Sequence, residues 1–250
     1  METWQGTWLR RFVPRPDASL RLFCFPHGGG GASGFRDWAE TLPATVECLA
    51  VQYPGREDRT GDPPASDLAE LAASVAAEVA PLTDRPYALF GHSMGATVAH
   101  ELAHALRDRG CDEPLLLLVS GREAPHDENG GDVHLRDDDG LARELYRLGG
   151  TAAELLDDPE LRAMLLGYVR EDYRLVETFR PATRAPLTCP VNVLLGAEDP
   201  DLDPARASRW SATTLGRTDL RVFPGGHFYL VERPAETVTA VGDALHAALG

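Results

Sequence analysis

The chain has 250 residues, 43% hydrophobic and 25% charged, a balance that excludes wholesale disorder and suits one large α/β unit. Its net charge of −15 opposes nucleic acid and anionic membranes as partners, and no run approaches the roughly 18 to 20 apolar residues of a membrane helix. The opening METWQGTWLRRFVPRP lacks the apolar stretch of a secretory signal, so a cytoplasmic enzyme is expected.

Residues 1–60 hold 7 Arg and 7 acids, so the acidic excess lies wholly beyond them. All 24 basic residues are Arg and Ile is absent, which leaves the core to Leu, Val and Ala. Cys24, Cys48, Cys111 and Cys189 show no metal or redox spacing and read as free, buried thiols.

In chain order, WLRRF suits an antiparallel edge strand, and LRLFCF (20–25) and VECLAVQY (46–53) suit strands buried on both faces. SGFRDWAETL between them reads as a helix. SDLAELAASVAAEVAPL follows as a helix capped by Asp67 or Ser66, then the strand YALF (87–90) and the helix MGATVAHELAHALRDRG. LLLLVS (115–120), VNVLLG (191–196) and LRVF (220–223) complete the strands and likewise suit burial on both faces. PARASRWSATTL and PAETVTAVGDALHAAL read as helices, the second opened by Pro234. The alternation predicts a doubly wound, mostly parallel sheet.

About 70 residues separate LLLLVS from VNVLLG, more than a crossover needs. EAPHDENGGDVHLRDDDG reads as loop. Beyond it Leu141, Leu145 and Leu148 share a helix face, as do Leu161, Leu165 and Tyr168, then Leu175 and Phe179. The expectation is a single domain over 1–250 with a helical insertion at approximately 124–186, too poor in core residues to fold alone.

Gly91-His92-Ser93-Met94-Gly95 follows a predicted strand and opens a helix, the context G-x-S-x-G requires. A serine on that turn is thrust from the sheet edge, and its neighbours two residues away must be small. Ser93 is the candidate nucleophile. His227, in FPGGHFYL just past the last strand, is the candidate base. Asp199, after VNVLLGAE, is the chosen acid, with Glu198, Asp201 and Asp203 as competitors. The N–H groups of Met94 and of Gly28, in the turn FPHGGGG, are the candidate oxyanion donors. His100-Glu101-Leu102-Ala103-His104 also matches the H-E-x-x-H zinc pattern. It stands alone, with Arg107 where the extended form wants Gly and only a remote carboxylate such as Glu123 as third ligand. Neither metal nor cofactor is therefore expected, and the pair reads as one partly buried and one exposed histidine.

FPHGGGGASGFRDW, QYPGREDR, FGHSMGATVAHELA, LLGAEDP and PGGHFYL together resemble the stand-alone type II thioesterases of polyketide and non-ribosomal peptide assembly lines. The resemblance runs from about residue 20 to the C-terminus. It implies an α/β-hydrolase fold with a helical lid, and hydrolysis of acyl groups from the phosphopantetheine arm of acyl or peptidyl carrier proteins, as an editing activity. By matching position it makes Ser93 the nucleophile, His227 the base, Asp199 the acid, and Gly28 and Met94 the oxyanion donors. Two departures stand out: Gly28 where Ala is common, and His100 and His104 where apolar and basic residues are expected.

Leu145, Leu148, Met164, Leu165 and Phe179 are the candidate walls of an acyl channel. Arg10, Arg11, Arg15, Arg56 and Arg59 are the candidate carrier-docking residues, and a monomer is expected. Two alternatives are a carboxylesterase for small oxygen esters and a non-catalytic hydrolase-like binding protein.

Overall fold

A computed structural model describes residues 6–127, 130–149 and 157–250. Seven strands form one sheet in the order β1-β3-β2-β4-β5-β6-β7. They are β1 (Leu9–Arg10), β2 (Leu20–Phe25), β3 (Val46–Val51), β4 (Tyr87–His92), β5 (Leu116–Ser120), β6 (Val191–Gly196) and β7 (Thr218–Phe223). Only β1 is antiparallel to its neighbour. WLRRF is thus the antiparallel edge strand expected, and the whole is the α/β-hydrolase arrangement.

Strand side chains alternate between two cores. Phe23, Phe25, Leu89, Leu117 and Val119 belong to one; Leu22, Cys24, Phe90, Leu116 and Leu118 belong to the other. This is the period of the pleat applied to strands that are apolar on both faces, with Arg21 and Glu47 as a buried exception. Helices α2 (Leu68–Val79) and α3 (Met94–Asp108) cover the first face. Helix α1 (Arg36–Thr41) and the C-terminal helix (Pro234–Leu249) cover the second. Asp67 caps α2 by accepting the Glu70 N–H at 2.7 Å. Pro234 opens the C-terminal helix.

Three sequence expectations need correction. LRVF is not buried on both faces: Leu220 and Val222 are 41% and 46% exposed, because β7 is an edge strand. PARASRWSATTL is one helical turn at Pro204–Ala207 followed by 3₁₀ turns at Ser208–Thr213. Its hydroxyls turn back onto the backbone, Ser208 to the Ala205 carbonyl at 2.7 Å and Thr213 to that of Trp210 at 2.8 Å, which competes with helix propagation. Cys111 is only half-buried, whereas the other three free thiols are buried.

Between β5 and β6 stand α4 (Asp138–Leu148) and α5 (Pro159–Thr178). The stretch expected as loop already contains 3₁₀ turns at Pro125–Asp127 and Val133–Leu135, and α4 opens inside it because Asp137 caps it through the Gly140 N–H at 2.7 Å. Leu141, Leu145, Leu165, Leu166 and Val169 join these helices in a small core of their own. Residues 128–129 and 150–156 of the expected insertion lie outside the described residues. Among the described residues no helix is long and apolar enough to cross a membrane.

Candidate active site

Ser93 stands at the junction of β4 and α3 with φ +53° and ψ −120°. Few non-glycine residues adopt such a backbone. The turn is tight enough that a Cβ on Gly91 would overlap the Gly95 carbonyl, and one on Gly95 would overlap that of Phe25. The turn is pinned by the Ser93 N–H, which donates to the Ser120 carbonyl on β5 at 2.8 Å. Met94 begins the helix behind it, where backbone N–H groups have no intrahelical partner.

His227 lies in the loop after β7. Its Nδ1 lies 2.7 Å from Oδ2 of Asp199, and the two side chains are 5% and 0% exposed. The loops carrying them are joined by backbone bonds from Ala197 to Phe223 and from Glu198 to Gly225, at 2.7 and 2.9 Å. Gly196 is obligatory there, since its Cβ would overlap the Gly226 carbonyl. Two of the competing acids are engaged elsewhere, Asp201 with Arg147 and Asp203 in capping a helical turn through the Arg206 N–H, and Glu198 is exposed.

Ser93, Met94, Gly28 and His227 line one cavity of about 600 Å³ beneath the insertion. Asp199 reaches it through His227. Of the expected acyl walls, Leu145, Leu148 and Leu165 line this cavity. Met164 and Phe179 do not. Met164 is half-exposed and borders a separate cavity between α5 and the loop 53–65. Phe179 is drawn into the sheet core with Leu175 and Val176. A face count says which side chains share a side of a helix, and only the packing around it decides what that side meets.

Two further imidazoles border His227. The ring of His92 lies 4.9 Å from that of His227, and Phe228 stands edge-on to His27, His92 and His227. Burial, with the charges of His227 and Arg56 adding to it, brings His27 down to about 3. Burial likewise lowers His92 well below the usual histidine range. Both stay neutral at physiological pH, so His227 has no cationic neighbour among them. His92 is seated by Nδ1, 2.9 Å from Ser120 Oγ, which in turn meets the Tyr229 hydroxyl at 2.7 Å.

The histidines of the H-E-x-x-H pattern are both buried, at 6% and 4% exposure, not one partly buried and one exposed. Their Nε2 atoms are 3.3 Å apart, and Arg107 donates to His104 Nδ1 at 2.9 Å. That donation places the His104 proton on Nε2, facing His100. The strap leading to β6 seals the pair: Arg184 bonds Glu101 at 2.9 Å, and Arg107 bonds the carbonyls of Ala185 and Pro186. Glu123 pairs with Arg206 instead of joining them.

The expected docking arginines are occupied within the fold. Arg10 pairs with Asp58, Arg11 with Glu47, and Arg59 with Asp62 and the face of Trp8. Arg15 donates to the carbonyls of Ala39, Leu42, Pro43 and Val46. Arg56 is 5% exposed and pairs with Asp172 of α5, a carboxylate that also accepts the Gly29 N–H at 2.7 Å. Sequence reading passed over Asp172. The signal was present: with Leu165, Tyr168 and Leu175 it forms one stripe at helical spacing, so it is an acid set into a face read as apolar.

The profile of the thioesterase domain family matches residues 20–249. The chain is 42% identical over 241 residues to a Streptomyces venezuelae protein named thioesterase PikA5, covering 96% of this chain and 86% of that one. It is 41% identical over 239 residues to a probable cadicidin biosynthesis thioesterase of Streptomyces griseus, covering 96% of this chain but 66% of that longer protein. The solved type II thioesterase BorB, from the borrelidin biosynthetic cluster, matches with a TM-score of 0.89 at 40% identity, over 97% of this chain and 99% of that one. Matched over nearly its whole length, the chain belongs to the thioesterase domain family.

Proposed function

We propose that the protein is a serine thioesterase that removes acyl groups from the phosphopantetheine arm of acyl or peptidyl carrier proteins, as an editing enzyme of polyketide or non-ribosomal peptide synthesis. The observation that carries this reading is the hydrogen bond from His227 to Asp199 beside a strained serine, on one cavity, in a chain of this family.

His227 takes the Ser93 proton as the hydroxyl oxygen attacks the thioester carbonyl. Asp199 holds the ring so that Nε2 is the accepting nitrogen, and stabilises the imidazolium that forms. The N–H groups of Gly28 and Met94 receive the oxyanion. The C–S bond breaks, the pantetheine thiolate takes the proton from His227, and the acyl group remains on Ser93. Water, deprotonated by the same histidine, then releases the acid. The chain is read as one domain whose insertion over 124–186 serves as a lid, with Leu145, Leu148 and Leu165 walling the acyl chain from water.

The test is a panel of acyl-loaded carrier proteins assayed with the wild type and with Ser93→Ala. Thioester cleavage by the wild type alone is expected. Cleavage of small oxygen esters with carrier thioesters left intact would make it an esterase, and an inert wild type would make it a binding protein.

A further inference from the structure

The Gly-rich turn closes on one bond of its own, the Gly30 N–H donating to the His27 carbonyl at 2.9 Å, which leaves the Gly29 N–H to find a partner outside the turn. Gly28 to Gly31 have no side chains to pack, and Gly29 sits at φ +86°. Its peptides need an external restraint if the Gly28 N–H is to meet an oxyanion in a fixed place.

The restraint comes from α5. Asp172 Oδ2 accepts the Gly29 N–H at 2.7 Å, which sets the plane of the peptide joining Gly28 to Gly29. Asp172 is itself clamped by both arms of Arg56, Nη1 to Oδ2 at 2.5 Å and Nη2 to Oδ1 at 2.7 Å. Nη1 also reaches the Gly30 carbonyl at 3.2 Å, and the guanidinium lies over the rings of Tyr168 and Tyr53. The contact is close: a Cβ on Gly29 would stand 2.9 Å from Val169 Cγ2. Asp172 and Arg56 are 3% and 5% exposed. Burying two charges is expensive, and an apolar pair would seat a helix as well. What an apolar pair cannot do is accept a backbone N–H, and an anchored carboxylate does this more strongly than a neutral acceptor.

We infer that Asp172 is a positioning residue that couples α5 to the oxyanion turn, with Arg56 as its anchor. The turn is competent only while the helix is seated, so displacement of α5 switches off hydrolysis. This rests on the thioesterase reading above.

The test compares two double variants in one neutral background. Arg56→Met with Asp172→Asn removes both charges and keeps an oxygen for Gly29. Arg56→Met with Asp172→Leu removes the oxygen as well. With acyl-carrier substrate, kcat should be roughly 10- to 100-fold lower in the leucine variant, the scale of a misplaced catalytic geometry, with KM within about twofold. Equal kcat values, or a loss confined to KM, would overturn the coupling. If either double variant does not fold, the wild type still decides: the Gly29 amide must exchange its hydrogen slowly, and exchange at open-loop rates would overturn the inference. A wild type that neither cleaves carrier thioesters nor reacts with a fluorophosphonate at Ser93 would remove the thioesterase reading and this inference together. An active wild type with indistinguishable double variants would remove only the coupling.

Discussion

Asp199 and His227, 28 residues apart, meet through a 2.7 Å contact between Oδ2 and Nδ1. This bond fixes which ring nitrogen remains for a hydroxyl. Asp199→Asn preserves the shape but offers an amide that can donate to Nδ1, which turns the ring to the wrong tautomer. The expected result is a fall in kcat of about 10³- to 10⁴-fold with the fold intact. Stopped-flow hydrolysis of an acyl-carrier thioester, with circular dichroism as control, checks it.

The backbone of Ser93 stores strain at φ +53°. Both Ser93→Ala and Ser93→Gly should abolish turnover, but only glycine relieves the backbone. Ser93→Gly should therefore melt higher than Ser93→Ala, by about 1 kcal/mol or roughly 2–4 °C, once the greater freedom of unfolded glycine is subtracted. Calorimetry of the two variants checks it. Gly95→Ala should cost more than about 4 kcal/mol, because its Cβ overlaps a backbone carbonyl that has nowhere to move.

Leu145, Leu148 and Leu165 border the cavity, and Met164 does not. Leu165→Trp should shorten the acyl chain accepted, lowering kcat/KM for long chains against acetyl or propionyl by about tenfold or more. Met164→Ala should leave that ratio unchanged. A chain-length series on one carrier protein reads both.

His104 is lowered to about 4 by burial and by the neighbouring His100. The unfolded chain takes up a proton near pH 6.5, and the native one only near 4. Between those values unfolding is favoured as pH falls, and the stability is fully kept above them. The groups facing His104 are His100, Glu101, Arg107 and Arg184. His104→Gln still accepts from Arg107 and donates to His100, without titrating. It should reduce the loss of stability between pH 7 and pH 5 by on the order of 1 kcal/mol, or about 2–4 °C in Tm. Thermal melts at the two pH values decide it.

Arg15 donates to five backbone carbonyls around the end of α1 and the start of β3. Arg15→Glu should lower stability by about 2 kcal/mol or more, since it strips donors from part-buried acceptors. It should leave KM for carrier-bound substrate within about twofold. A selective rise in KM with unchanged Tm would restore Arg15 as a docking residue.

Much of this molecule is written locally. LRLFCF and VNVLLG are apolar but for Arg21 and Asn192, and such runs have few uses other than a strand covered on both faces. G-x-S-x-G after a strand fixes a serine on a tight turn, because only glycine clears the carbonyls of Gly95 and Phe25. Asp67 marks a helix start through a bond that reaches three residues, and Pro234 marks another through its ring-fixed φ. Local sterics and short hydrogen bonds leave local signatures. What sequence alone left open was decided at long range. Which acid takes His227, which side chains of α5 face the cavity, and why both His100 and His104 are buried depend on elements far apart in the chain. So does the reach of Asp172 to Gly29, across 143 residues. A buried charge costs the same wherever it stands in the sequence, and only the folded chain brings the partner that offsets it.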